Sequence, residues 1–113
     1  MDCLFCKIIA GDIPSTIVYQ DEDCIAIRDI APQAPTHVLV MPRKHFCCLT
    51  TAATEDPELV GRLMKACVKV AEIEGLLEDG YRVVTNIGEN GAQTVKHLHL
   101  HVLGGRKMSE VMA

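Results

Sequence analysis

The stretch "HLHLHVLGG", residues 97–105, sets three of the chain's five histidines at alternate positions with apolar residues between them. Side chains alternate faces along a strand, so His97, His99 and His101 are expected on one face and Leu98, Leu100 and Val102 on the other. The leucine face would have the core to itself. The imidazoles would follow one another at roughly 6.5–7 Å, close enough for two of them to act on one phosphate group or metal ion. A histidine-rich edge strand open to solvent is the ordinary alternative, but three in strict alternation beside a glycine-bearing loop outweigh it. Neutral imidazole can be a nucleophile, a general acid or base, or a metal ligand, because its pKa lies near operating pH.

The loop in question is "NIGENGAQT", residues 86–94. Gly88 and Gly91 would let the backbone approach a phosphate closely, and Asn86, Gln93 and Thr94 would add side-chain donors. Alone such a loop is usually only a turn; next to the histidine strand it favours phosphoryl or nucleotidyl transfer.

Working outward, the turn signals divide the chain into short elements. Residues 4–10 are apolar and run into Gly11 and Pro14, as a short helix with a glycine stop would. The β-branched segments "STIVYQ" (15–20) and "DCIAIRD" (23–29) flank Asp21 and Glu22 as a hairpin, and prolines bracket a third strand, "THVLVM" (36–41). From Pro57 to Glu74 the pattern is helical: Asp56 can cap it, Pro57 suits the first position, and Val60, Met64, Cys67 and Ala71 make an apolar stripe that ends at Gly75 or Gly80. "YRVVTN" (81–86) is a fourth strand and the histidine run a fifth. This predicts a single α+β domain over 1–113, with an antiparallel sheet of about five strands, one long helix and a short N-terminal helix.

The 113 residues, 49% of them hydrophobic, suffice for one core. A net charge of −4 argues against the broad electropositive face that nucleic acid requires. No apolar run approaches a membrane span, and the N-terminal residues lack the pattern of a signal peptide, so a cytoplasmic protein with six reduced cysteines is expected. Cys24, Cys67 and the adjacent Cys47 and Cys48 read as small buried hydrophobes. Cys3-x-x-Cys6 is either a redox pair, which should sit in a βαβ pattern that is absent here, or half of a zinc site.

"HLHLHVL" is similar to the His-φ-His-φ-His-φ-φ signature (φ apolar) of the histidine-triad (HIT) family. "CLFCKIIAGDIPS", "IRDIAPQAPTHVLVMPRKH", "GYRVVTNIGENGAQTV" and "HLHLHVLGGR" resemble its Hint branch, the purine nucleoside phosphoramidases, in the same order along the chain. The resemblance implies a HIT-like fold and a homodimer. It implies that His99 attacks the α-phosphorus of a nucleoside 5′-phosphoramidate through Nε2, expelling the amine and leaving a nucleotidyl-imidazole for water to hydrolyse. His101 would bond the phosphate oxygens and the leaving-group side, with His37 and, in zinc-free relatives, His97 in the proton network. Asp29 would take the ribose hydroxyls; Asn86, Gly91, Gln93 and Thr94 the phosphate; and Leu4, Phe5, Ile8, Ile13, Ile27 and Ile30 the purine. Some members carry a structural zinc ion on positions matching Cys3, Cys6, His45 and His97, and no organic cofactor is implied. Dinucleoside polyphosphate hydrolysis and a non-catalytic purine-nucleotide-binding or scaffold role are the alternatives. The chain departs from the branch at Ala92, where a second glycine is usual, at Thr94 for serine, and in a C-terminal tail without tryptophan.

Overall fold

The computed structural model describes residues 3–112. Met1 and Asp2, the start of the stretch read for a targeting signal, and Ala113 lie outside the described residues. Helix α1 (Leu4–Ile9) leads into strands β1 (Ile17–Gln20), β2 (Cys24–Arg28) and β3 (Thr36–Pro42). Helices α2 (Leu49–Glu55) and α3 (Pro57–Ile73) follow, then β4 (Arg82–Val84) and β5 (Leu100–Gly104). The described strands form one antiparallel sheet in the order β1-β2-β3-β5-β4, giving the expected α+β architecture.

The long helix begins as its sequence dictates. The Asp56 carboxylate accepts from the Leu59 N–H, Pro57 occupies the first turn, and Gly75, at φ +72°, follows the C-cap Glu74. Its buried line is Leu59, Leu63, Ala66, Cys67, Val70 and Ala71, one residue round from the predicted stripe. Met64, 46% exposed, and Val68, 48% exposed, lie outside it. The helix has apolar residues on two sides, so periodicity alone could not choose the side that packs. Helix α2 is an element the sequence reading did not anticipate. Thr50, Thr51 and Thr54 are weak helix formers, and the segment is held instead by its place before Asp56, which ends α2 and caps α3.

Both faces of the sheet are buried, which corrects the expectation that the leucine face alone meets the core. On one face Cys24, Ala26, Val38, Val40, Leu98, Leu100 and Val102 pack with α3. On the other, Ile25, Ile27, Leu39 and Met41 pack with Phe5 of α1, and the histidines share this side. The fifth strand is also shorter than predicted, because its ladder with β3 runs from Thr36↔Gly104 to Val40↔Leu100 and stops. Pro42 has no N–H to offer, and its carbonyl is taken by the His97 ring at 2.8 Å. Residues 97–99 therefore lie outside the ladder, with a bend at His97, and are held by individual bonds such as Leu98 N–H to the Phe46 carbonyl at 2.7 Å. Of the cysteines read as core, Cys24 and Cys67 are buried, whereas Cys47 is exposed and Cys48 half-buried on the turn before α2.

In the loop after β4, a Cβ on Gly91 would collide with the Ile87 carbonyl, so glycine there serves the loop's own tight path. Ala92, where the family resemblance leads one to expect glycine, has φ +58°. Left-handed backbone costs an alanine about 1–2 kcal/mol, partly offset by glycine's greater unfolded-state freedom. Ala92→Gly should therefore raise stability by roughly 0.5–1 kcal/mol in urea unfolding.

Candidate active site

The three alternating histidines have three different surroundings. His99 is 6% exposed, and its Nδ1 lies 2.7 Å from the main-chain carbonyl of His97. A carbonyl can only accept, so Nδ1 carries the proton and Nε2 keeps its lone pair. Phe5 stands edge-on to the ring at a centroid distance of 5.0 Å and fixes its plane.

The His101 ring centroid lies 5.1 Å from that of His99. A chain of bonds sets its tautomer. The Gln33 N–H donates to His37 Nδ1 at 3.0 Å, so His37 is protonated at Nε2 and donates to His101 Nδ1 at 2.8 Å. His101 must then carry its proton on Nε2. Asp29 Oδ2 lies 3.4 Å from His37 Nε2, while its other oxygen accepts from the Ala31 N–H at 2.8 Å. Asp29 thus supplies the negative charge beside two imidazoles.

Burial, and then the neighbouring His99 and His37, push the His101 pKa down to about 4, and burial lowers that of His37 against the pull of Asp29. Both rings are neutral near pH 7. Because the folded pKa of His101 lies below the unfolded value near 6.5, protonation favours unfolding. The stability it contributes is complete above about pH 6.5 and is lost as the pH falls towards 4. Thermal melts should show a loss on the order of 2–3 kcal/mol across that window, absent in His101→Asn.

His97, on the same side of the sheet, has different partners. Its Nε2–H donates to the Pro42 carbonyl at 2.8 Å, which leaves Nδ1 bare, 3.3 Å from Cys3 Sγ, 3.5 Å from Cys6 Sγ and 3.2 Å from His45 Nδ1. Cys6 Sγ is 3.4 Å from His45 Nδ1, and all four atoms lie within 4.8 Å of one another. In tetrahedral zinc coordination the sulfur–nitrogen and nitrogen–nitrogen edges are about 3.6 and about 3.3 Å. The donor set and its spacing therefore fit a closed metal centre. Cys3 caps α1 and accepts from the Cys6 N–H at 3.3 Å, so the first turn of the helix presents both thiols.

Between α1, β2 and the Asp29 loop lies a cavity of about 280 Å³. The apolar residues expected at a purine, Leu4, Phe5, Ile8, Ile13, Ile27 and Ile30, all line it, with Asp29, Thr94, His99 and His101. Ile30 is 99% exposed, an apolar side chain held open at the rim. The sequence reading missed Leu39, which lines it with Pro14, Ser15, Arg28 and Val95; Leu39 shares a strand face with His37, a signal that alternation along β3 carried. It also missed the Gln33 N–H and the Pro42 carbonyl, main-chain groups that leave no mark in residue identities.

His37 does not itself line the cavity but touches two residues that do, His101 and Asp29, and His97 is fully buried behind Phe5. Asn86, Gly91 and Gln93 are not among the described lining residues. Asn86 donates to the Gly91 carbonyl at 2.8 Å. Gln93 donates to the carbonyls of Cys47 and Val95 and accepts from the Gly88 N–H at 3.1 Å. These side chains shape the loop rather than face the cavity.

Among the described residues no helix is long and apolar enough to cross a membrane. A purine nucleoside phosphoramidase of Escherichia coli (strain K12) is 44% identical over 112 residues, covering 99% of this chain and 94% of that protein. A HIT family hydrolase from Clostridium thermocellum superposes with a TM-score of 0.95 at 46% identity, covering 99% of this chain and 97% of the other. A HIT family hydrolase from Legionella pneumophila does so with a TM-score of 0.92 at 48% identity, covering 96% and 97%. The model of the HIT domain matches residues 10–108, and with the histidine arrangement above, the chain belongs to the HIT domain family.

Proposed function

We propose that the protein hydrolyses purine nucleoside 5′-phosphoramidates through a nucleotidyl intermediate on His99. The observation that carries this is the tautomer of His99: with Nδ1–H held by the His97 carbonyl, the ring keeps a bare Nε2, and His99 lines a cavity together with Asp29 and His101. In the first step the Nε2–phosphorus bond forms as the phosphorus–nitrogen bond breaks, and the leaving amine takes up a proton from solvent. In the second, water attacks phosphorus as the Nε2–phosphorus bond breaks, its hydroxyl staying on phosphorus and its proton returning to solvent, so that His99 is restored and water has added across the P–N bond. His101 Nε2–H bonds the phosphoryl oxygens as charge develops, Asp29 accepts from the ribose hydroxyls, and the apolar walls take the purine. The glycine loop contributes through Thr94 and its backbone, on a path held by Asn86, Gly91 and Gln93.

Cys3, Cys6, His45 and His97 would hold a structural zinc ion, which when bound would supply rigidity, since no ligand position is left open. His97 then acts on catalysis through its carbonyl rather than its ring. We further read the protein as a cytoplasmic homodimer in which the second apolar side of α3, with Met64 and Val68, and the edge strand β4 meet their copies.

The reading is tested by comparing kcat/KM for adenosine 5′-phosphoramidate and a diadenosine polyphosphate. The phosphoramidate should be the better substrate. Preference for the dinucleotide would reassign the leaving group, and AMP binding without turnover of either would make this a nucleotide-binding protein.

A further inference from the structure

Cys47 and Cys48 have no part in the site above. They are sequence neighbours, yet the turn before α2 brings their thiols to the same side, with the sulfurs 3.5 Å apart. The Thr51 hydroxyl lies 3.3 Å from Cys47 Sγ and 4.0 Å from Cys48 Sγ. Gln93 holds the Cys47 carbonyl, so the peptide beneath the pair is anchored to the loop after β4. Both thiols are reachable from solvent. The other cysteines are differently engaged: burial pushes Cys24 and Cys67 up to about 12, and Cys3 and Cys6 face His97 and His45.

We propose that Cys47 and Cys48 form a chelating site for a thiophilic trivalent centre, of the chemical class of arsenous acid and organic arsenicals. With metal–sulfur bonds of about 2.3 Å, sulfurs at this separation subtend about 99° at a shared centre, narrower than the tetrahedral angle of structural zinc. That angle suits a three-coordinate pyramidal centre bearing a lone pair. Two sulfur bonds form as two hydroxyls leave the centre and combine with the two thiol protons as two waters, with no change of oxidation state. Hydrogen bonding from the Thr51 backbone, with further bonds from Cys47 and Thr50, holds the Cys48 thiol down to about 7, so thiolate is present at neutral pH.

The test uses the whole protein, equilibrated with zinc in a phosphine-reduced buffer and exposed to phenylarsine oxide. Trypsin separates the candidates, because residues 45–62 hold Cys47 and Cys48 whereas residues 1–7 hold Cys3 and Cys6. One phenylarsenic group bridging the 45–62 peptide is expected, lost in Cys47→Ser and in Cys48→Ser and retained in Thr51→Val. An adduct confined to residues 1–7, an adduct that survives either serine substitution, or no adduct at all would overturn the proposal. Both substitutions lie on accessible side chains, and circular dichroism of each variant checks that the fold is kept.

Discussion

Replacing His99 by alanine should lower kcat/KM for adenosine 5′-phosphoramidate by roughly 10⁴- to 10⁶-fold, the range seen when a nucleophile is removed from an intact site. The loss should fall on kcat. The cavity walls, Asp29 and Thr94 are untouched by the change, so AMP affinity should move little in calorimetry. The His101 and His37 rings remain bonded to each other and can still polarise a phosphate, but no other bare imidazole nitrogen lines the described cavity. His101→Ala should be milder, roughly 10²- to 10⁴-fold, because it removes charge stabilisation and leaves the nucleophile in place. Wild-type rates in His99→Ala would remove the nucleophile assignment.

The second large effect concerns the Cys3, Cys6, His45 and His97 cluster. A ligand that binds only the folded state contributes about 4 kcal/mol when it stands 1,000-fold above its Kd. For a domain of this size that corresponds to a fall in Tm of roughly 10–20 °C when zinc is stripped by a chelator, and Cys6→Ser should behave like the stripped protein. Elemental analysis should find one zinc per chain in the wild type. Activity should fall as well, chiefly through KM, because α1 carries both thiols and also supplies Leu4, Phe5 and Ile8 to the cavity. A metal-free wild type whose Tm ignores chelator would make Cys3 and Cys6 a partly buried thiol pair and leave His97 to the proton network.

The α+β class, the strand positions and most of the cavity lining were legible in the sequence, because β-branched runs, prolines and glycines punctuate it clearly. The histidine alternation was legible as a pattern, but what separates its members was not. His97 is drawn to the cysteines by the Pro42 carbonyl, His99 is set by the His97 carbonyl, and His101 by a relay that begins at the Gln33 N–H. All three determinants are main-chain groups, and residue identity does not encode where a backbone carbonyl will point. The placement of the loop side chains was hidden for a related reason. Asn86 and Gln93 are donors in composition, yet the turn that Gly91 permits needs those donors for itself. The buried side of α3 was decided by tertiary packing between two apolar stripes of similar strength.

In the proposed mechanism His99 Nε2 becomes bonded to phosphorus during turnover. Mixing enzyme with excess adenosine 5′-phosphoramidate, stopping with alkali on the millisecond scale and mapping the digested protein by mass should reveal an adenylyl group on the peptide containing His99. It should appear as a burst before steady-state AMP release and be absent in His99→Ala. Turnover without any such adduct, or an adduct on His101, would contradict the claim.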